Sequence, residues 1–367
     1  MKIKHLIIVL IAFLSFFTSL GQDKMYKVQT IAFYNLENFY DTKNDPEKND
    51  DEWVYSDKQY KDKQNNIAKV LSSIGKDENP NAPTIIGLCE VENRSVLEDL
   101  VKHPLLLEYN YGIIHYESPD RRGIDNALLY QKKHFTVQSS SNVPLMIYQD
   151  DTKKPKKPKK SSDNIDGPQD FSADTDVKSK RIYTRDQILV SGMLDGEEFH
   201  FIVNHWPSRR GGEATSRPLR EKAAALNIKI IDSLRIINPE ARVITMGDLN
   251  DGPFNNSVTK VIPAKGDKKD LKPQGYYNPM QRMSKKGMGT LAYRDAWDIF
   301  DQMILTESLV RDDKKSYVYW KAAIFNKPWM YQTVGQYKGY ALRNSLQGEM
   351  GYSDHFPVYV YLIKEVK

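Results

Sequence analysis

Apolar and polar positions alternate along the chain in a way that predicts strands and helices in turn. Residues 31–34 form a short apolar run that reads as a strand. Residues 84–88 form a second run, apolar on both faces and therefore buried. Between them, Ser56-Asp57-Lys58-Gln59 has the Ser and Gln spacing of a capping box. It opens a helix with Tyr60, Ile67, Val70, Leu71 and Ile74 on one face, stopped by Gly75. Another helix is expected over residues 94–106. Residues 111–115, 127–130, 187–193 and 198–204 read as strands, the last two joined by an Asp195-Gly196 hairpin turn. Pro218 suits the first position of a long helix, where a missing N–H costs nothing. Leu219, Ala223, Leu226, Ile230, Leu234 and Ile237 then follow helical spacing. Strands at 242–246 and 357–362 complete the pattern, and no fixed-period repeat occurs.

Composition narrows the class. At 367 residues, 40% hydrophobic and 28% charged, the chain can build a core and is not wholly disordered. Its beginning follows another logic. Lys2 and Lys4 precede an uncharged run over residues 6–20, and Ser19-Leu20-Gly21 supplies small residues before Gln22. That is the three-part pattern of a signal peptide, too short for a span of about 20 apolar residues. Residues 1–21 are expected to be removed, leaving residues 22–367 as one domain, exported to the periplasm or the cell exterior of a bacterium. No later segment is apolar enough to span a membrane. The single Cys89 excludes an intramolecular disulfide and a Cys-rich zinc site. Residues 150–180 segregate a Lys-Lys-Pro-Lys-Lys-Pro-Lys-Lys block from an Asp-rich block, which predicts a disordered insertion. It reads as a loop neutralised by its own acids, or as a basic arm that touches polyanions. The formal charge of +5 falls to +3 without the two leader lysines, a weak preference for anionic ligands.

Candidate chemistry lies at strand ends, where open sheets place their sites. Asn35, Glu37 and Asn38 follow the first strand, and Glu90 and Glu92 the second. Asn204 and His205, Gly247-Asp248-Leu249-Asn250, Asp301 and Ser353-Asp354-His355 mark four more ends. Any one of these is explicable as a cap or turn residue; their recurrence is not. Glu90, Asp354 and Asn35 are hard oxygen ligands suited to Mg²⁺, Mn²⁺ or Ca²⁺. The seven histidines include no H-E-x-x-H, and no P-loop, dinucleotide glycine fingerprint or G-x-S-x-G is present. His200 and His205 lie an odd number of residues apart and face opposite sides of their strand. Two histidines with carboxylate partners and a metal fit hydrolysis at phosphorus.

With these residues assembled, the chain resembles the endonuclease/exonuclease/phosphatase superfamily, the deoxyribonuclease I-like group. The matching segments are Phe33-Tyr34-Asn35-Leu36-Glu37-Asn38, Gly87-Leu88-Cys89-Glu90-Val91-Glu92-Asn93 and Asn204-His205-Trp206-Pro207-Ser208-Arg209, followed by Gly247-Asp248-Leu249-Asn250, Asp301 and Ser353-Asp354-His355. They keep the family's order and span residues 31–362. The resemblance implies an α+β fold, a four-layer α/β/β/α sandwich of two mixed β-sheets flanked by helices. It implies that Glu90 is the main ligand of a Mg²⁺ ion, helped by Asn35 and Asp354, with Mn²⁺ or Ca²⁺ as alternatives. Asp248 would orient or deprotonate the attacking water, and Asn250 would donate to a phosphate oxygen. His355, held by Asp301, would stabilise the pentavalent phosphorus or transfer a proton; Asp298 is the competing partner. His205 would stand near the leaving oxygen. Arg209 and Arg210 would clamp phosphate. Arg185 would either face phosphate or pair with Asp186. Arg217 and Arg220 add positive charge near His205. The expected function is an exported, metal-dependent nuclease cleaving DNA or RNA. The alternative is a phosphatase or phosphodiesterase acting on a lipid head group or small phosphoester, to which Trp329-Met330-Tyr331 would contribute if exposed; the favoured reading of that segment is buried core packing. A non-catalytic binding protein fits the full residue set poorly. No protein partner is implied and a monomer is expected.

Overall fold

The computed structural model describes residues 24–49, 53–149, 180–311, 313–345 and 348–366. The expected leader and nearly all of the Lys/Asp-rich insertion therefore lie outside the described residues. The strands in chain order begin with β1 (Tyr26–Phe39), β2 (Ile85–Val91), β3 (Tyr111–His115), β4 (Asp125–Gln131) and β5 (Phe135–Val143). Next come β6 (Ile147–Tyr148), β7 (Arg181–Ile182), β8 (Gln187–Leu194), β9 (Glu197–His205) and β10 (Val243–Asp248). The last six are β11 (Tyr276–Tyr277), β12 (Leu291–Tyr293), β13 (Ala296–Asp298), β14 (Asp301–Thr306), β15 (Val318–Ile324) and β16 (Val358–Glu365). Helices α1 (Asp57–Ser73), α2 (Arg94–Val101), α3 (Glu213–Ile237) and α4 (Met280–Lys285) connect them.

Two six-stranded mixed sheets result, ordered β15-β16-β1-β2-β4-β3 and β11-β14-β10-β9-β8-β5. Each has one parallel pair at its centre, β1 with β2 and β9 with β10, with an antiparallel neighbour beside it, β16 and β14. This arrangement positions the site. The carboxyl ends of β1, β2, β9 and β10 and the amino ends of β14 and β16 all arrive at one edge of the sandwich. Each parallel pair needs a crossover, supplied by α1 in the first sheet and α3 in the second.

The sheets pack face to face through Phe33, Leu88, Phe135, Phe201, Met246 and Met303, all buried in one core. The fit is close at Gly87, where an added Cβ would stand 2.6 Å from the Met246 sulfur. Ile67, Val70, Leu71 and Ile74 of α1 join the same core. On the far side, Leu219, Ala223, Ile230 and Ile231 of α3 cover Ile202, Val243 and Ile304 in a second core. The expected four-layer α/β/β/α sandwich is the observed fold.

Some local expectations need correction. Helix α3 starts at Glu213, five residues before Pro218. Its start is set by Gly212, whose φ of 98° breaks the preceding chain, and Ser216 donates from its N–H and Oγ to the Gly212 carbonyl. Pro218 therefore sits in the second turn and forfeits one helical hydrogen bond. Ile237, placed on the apolar face, is 85% exposed because α3 outruns the sheet it covers. Helix α2 stops at Val101, and a separate 3₁₀ turn, Leu107–Tyr109, ends at left-handed Asn110. Among the described residues, no helix is long and apolar enough to cross a membrane.

Candidate active site

The site is built on irregularities at strand ends. Strand β1 runs on through Asn35 to Phe39, but its register with β2 shifts between Asn35 and Phe39. Strand β2 shifts against β4 between Cys89 and Val91. Glu37, Asn38 and Glu90 take up the slack with φ of 50°, 51° and 59°. Left-handed backbone at a non-glycine residue costs on the order of 1–3 kcal/mol. Here it turns the Glu90 carboxylate inward. Asn38 N donates to Glu90 Oε2 at 2.9 Å, and Asn35 Nδ2 reaches Glu90 Oε1 at 3.3 Å and Asp248 Oδ2 at 3.1 Å. The first sheet is thereby tied to the second through a residue whose partners lie 55 and 213 positions away.

Asp248 is the centre of the group. Its Oδ1 accepts the Asn250 N–H at 2.9 Å, and its Oδ2 lies 3.6 Å from His205 Nε2 and 3.9 Å from His355 Nε2. The surroundings shift the two histidines in opposite directions. His205 is held well below its ordinary pKa by burial, reinforced by the charges of Arg185, Arg122 and His355, and its Nδ1 has no partner. Burial also works against a charged His355. There the carboxylates of Asp301, Asp248 and Asp354 win and hold the imidazole well above its ordinary pKa. Asp301 Oδ2 stands 2.7 Å from His355 Nδ1. The competing Asp298 is instead 3.8 Å from Arg209. Burial pushes the Asp248 carboxyl up to about 6, with Asp301 and Glu90 adding to the rise and His355 opposing it. Two histidines shifted in opposite directions thus lie within 4 Å of a carboxyl with a raised pKa, an arrangement suited to moving protons.

The remaining expected residues divide between the mouth and the interior. Asn250, left-handed at φ 49°, donates from Nδ2 to the Trp206 carbonyl at 3.0 Å. Arg209 donates from Nε to the Asn250 carbonyl, stacks over Phe300 and remains partly exposed, with Arg210 next on the same loop. Arg185 does not pair with Asp186 and does not face the mouth. It is 5% exposed, and its fork is spent on Asp120 Oδ2 at 2.8 Å and the Trp206 carbonyl at 2.7 Å. Arg220 is likewise not a surface charge. It is fully buried, 2.6 Å from Asp251 Oδ1, and also binds Ser216. Met330 is buried and Trp329 and Tyr331 pack beside the core, so that segment is packing and not an exposed tip. His200 points away from the site and meets Ser191 Oγ.

The donor set suits a hard cation. Glu37, Glu90, Asp248, Asp301 and Asp354 crowd one end of the sandwich, and burial with the Asp354 charge drives Glu37 up to about 8. Excess carboxylate in a poorly hydrated pocket is what a divalent cation relieves. Asn35 and Glu90 already adjoin. Asp354, at the mouth, lies 3.5 Å from Arg343 and 3.9 Å from His355. Among the described residues, the group with three His, Asp or Glu ligand atoms within 4.8 Å of one another is elsewhere: His115, Glu117 and Asp125. Asp125 there is taken by His115 Nε2 and the Ser118 N–H. Asp120, Asp251 and Lys63 have structural roles at the site that no sequence spacing announced. Each is a buried charge with at least one partner distant in the chain, Arg185 for Asp120, Arg220 for Asp251 and Asn344 for Lys63.

Comparison with known proteins identifies the family and the fold. The model of the Endonuclease/Exonuclease/phosphatase family matches residues 30–159 and 169–364. No curated protein matches the sequence. Among solved structures, an endonuclease/exonuclease/phosphatase family protein from Bacteroides thetaiotaomicron aligns at 16% identity, covering 94% of this chain and 98% of its own, with a TM-score of 0.51. The mannosyl-6-phosphatase Bt3783 of Bacteroides thetaiotaomicron VPI-5482 aligns at 15% identity over 91% and 99%, TM-score 0.51. Truncated Caenorhabditis elegans TDP2 aligns at 15% over 91% and 97%, also TM-score 0.51. At such identities the likeness establishes the fold. The family match spans most of the sequence and includes every strand end described above. The chain belongs to the Endonuclease/Exonuclease/phosphatase family and is a hydrolase of phosphoric esters.

Proposed function

We propose that the chain is an exported nuclease that hydrolyses phosphodiester bonds of DNA or RNA with a divalent cation, Mg²⁺ in the first instance. The observation that carries the reaction class is the Asp248 carboxylate lying 3.6 Å from His205 Nε2 and 3.9 Å from His355 Nε2. Glu90, Asn35 and Asp354 would hold the cation, which when bound neutralises phosphate charge. Asp248 Oδ2, between the two imidazoles, orients the attacking water and accepts its proton. The His355 imidazolium, fixed by Asp301, faces the charge that builds on the phosphoryl oxygens. His205, with Nε2 toward Glu90 and Asp248, stands on the leaving-group side. The second N–H of the Asn250 amide is available to a phosphate oxygen, and Arg209 adds a cation at the mouth.

A polymeric substrate is favoured by what surrounds the centre. Trp297, 36% exposed on β13, stacks on Phe356 at 5.6 Å with planes 10° apart, immediately beside His355. Tyr293 on the paired β12 is 39% exposed. Aromatic faces next to cationic side chains suit unstacked bases. Export rests on the leader pattern of residues 1–21. The test is parallel hydrolysis of plasmid DNA, RNA, a sphingomyelin dispersion and a sugar phosphomonoester in Mg²⁺ and in EDTA. Metal-dependent cleavage of nucleic acid supports the reading. Turnover of the monoester or the lipid with inert nucleic acid replaces the nuclease assignment with the phosphatase one.

A further inference from the structure

We propose that Arg343 forms a subsite for the phosphate adjacent to the one being cleaved; this rests on the nuclease reading above. Arg343 lies on the segment between β15 and β16 that leads into Ser353-Asp354-His355. Its side chain is 55% exposed. Its Nε stands 3.5 Å from Glu37 Oε1 and its Nη2 3.5 Å from Asp354 Oδ2. Both separations exceed the 2.7–3.2 Å of a formed N–H···O bond. The guanidinium is held near two carboxylates mainly by charge, with one long contact to each and no bidentate fork to either.

The backbone beneath it is fixed. Asn344 donates from its N–H to Glu37 Oε2 at 2.8 Å and from Nδ2 to the Glu37 carbonyl at 2.7 Å. Lys63, fully buried on α1, donates to Asn344 Oδ1 at 3.1 Å and to the Tyr352 carbonyl at 3.0 Å. Asn66 holds the Met350 and Gly351 carbonyls from the same helix. An exposed cation on an anchored backbone loses little freedom when it binds an anion. Arg209 contrasts with it: its Nε is committed to the Asn250 carbonyl, its plane covers Phe300, and Asp251 and Asp298 stand within 3.8 Å of it.

Placement sets the role. Arg343 reaches Asp354 at 3.5 Å, Asp354 reaches His355 at 3.9 Å, and His355 reaches Asp248 at 3.9 Å. Arg343 is therefore one group further out than the centre, on the side of the first sheet, whereas Arg209 comes from the second. A phosphate engaged at Asp248 and His355 leaves Arg343 facing the next phosphate of the same strand, and its five donors match that oxygen pattern. The ligand class is a phosphodiester polyanion.

The experiment compares wild type, R343A and R343K on a single-stranded oligonucleotide and on bis(p-nitrophenyl) phosphate, which has no neighbouring phosphate. In R343A the loss of kcat/KM on the oligonucleotide should exceed the loss on the reporter by about tenfold and reside in KM, the scale of one lost charge-assisted contact. The slope of log KM against log salt should fall by about 0.7, one single-strand phosphate contact. R343K should recover the salt slope but only part of KM, since an ammonium lacks the fork. Equal losses on both substrates, or an unchanged slope, would overturn the proposal. So would a fivefold change in Mg²⁺ affinity of R343A by calorimetry, which would mark Arg343 as a counter-ion of Glu37 and Asp354. If wild type turns over the reporter but no nucleic acid, the nuclease reading fails by itself. Oligonucleotide anisotropy in EDTA then decides the subsite: equal binding by wild type and R343A rejects it.

Discussion

Asp301→Asn removes a charge while nearly preserving a shape, and so isolates what Asp301 does for His355. Asp301 is 1% exposed and its Oδ2 is 2.7 Å from His355 Nδ1. A hydrogen bond to a charged group is worth about 1.5–3 kcal/mol. If the imidazolium is the form that acts, kcat/KM should fall by about 10- to 150-fold, at 1.36 kcal/mol per decade. The direction of the pH change follows from the same residues. Burial lowers the His355 pKa, and Asp301, Asp248 and Asp354 together hold it well above the ordinary range. With one of the three removed, the imidazolium is lost at lower pH, so the alkaline limb of the profile moves toward acid. The assay is hydrolysis of bis(p-nitrophenyl) phosphate from about pH 5 to 9, across the range where histidines titrate, with thermal melting as the check on folding. A folded variant with kcat/KM within threefold of wild type and an unmoved alkaline limb would refute the reasoning.

Other outcomes follow from the same geometry. Asp248, raised to about 6, should give a kcat/KM that climbs with pH through about 6, and the Asp248→Asn variant should lack this limb. Because the folded chain holds that proton more tightly than the unfolded one, stability should fall as pH rises from the ordinary carboxylate range through about 6, read by urea midpoints; a stability unaltered by Asp248→Asn there would contradict the shift. Arg220→Met leaves Asp251 buried without its cation and should cost about 3–5 kcal/mol of unfolding free energy; a cost under about 1 kcal/mol would rule out that pair as a brace. Gly87→Ala drives a methyl against the Met246 sulfur across the sheet interface. It should destabilise by about 1–3 kcal/mol, partly relieved in Gly87→Ala, Met246→Ala relative to the sum of the single changes; strict additivity would argue against face-to-face packing there.

How much of this was readable in the chain depends on the range of the interaction. The capping box at Ser56 was legible because it is local: Ser56 Oγ accepts from Gln59 N and Gln59 Oε1 from Ser56 N. Strand β2 was legible from its apolar run. Strand β5 was not, since its Ser139-Ser140-Ser141 stretch lies on the partly exposed edge of the second sheet and shows no apolar pattern. The extension of β1 through Asn35 to Phe39 was hidden by the polar residues of its bulge. The polar residues of the candidate site stood out because strand ends gather them in short motifs. The charges that brace them did not. Arg185 meets Asp120 across 65 residues and Arg220 meets Asp251 across 31, so neither pair leaves a spacing to find. Arginines are mostly exposed; Arg185 was expected to face phosphate or pair with Asp186, and Arg220 to add positive charge near His205, and neither expectation included a buried partner. Lys63 sits on a helix rich in polar residues, and its burial is set by Asn344 and Tyr352, from the far end of the chain.

The central claim is that Asp248 and His355, beside a cation held by Glu90, Asn35 and Asp354, cleave a phosphoric ester. The most direct measurement is single-turnover hydrolysis of bis(p-nitrophenyl) phosphate by wild type and by the Asp248→Ala, His355→Ala double variant, in Mg²⁺ and in EDTA, with Mg²⁺ binding followed separately by calorimetry. The account predicts hydrolysis by wild type in Mg²⁺ alone, and a loss of at least about 10³-fold in a double variant that still folds and binds the ion. A double variant that retains the wild-type rate, or a wild type indifferent to EDTA, would contradict it.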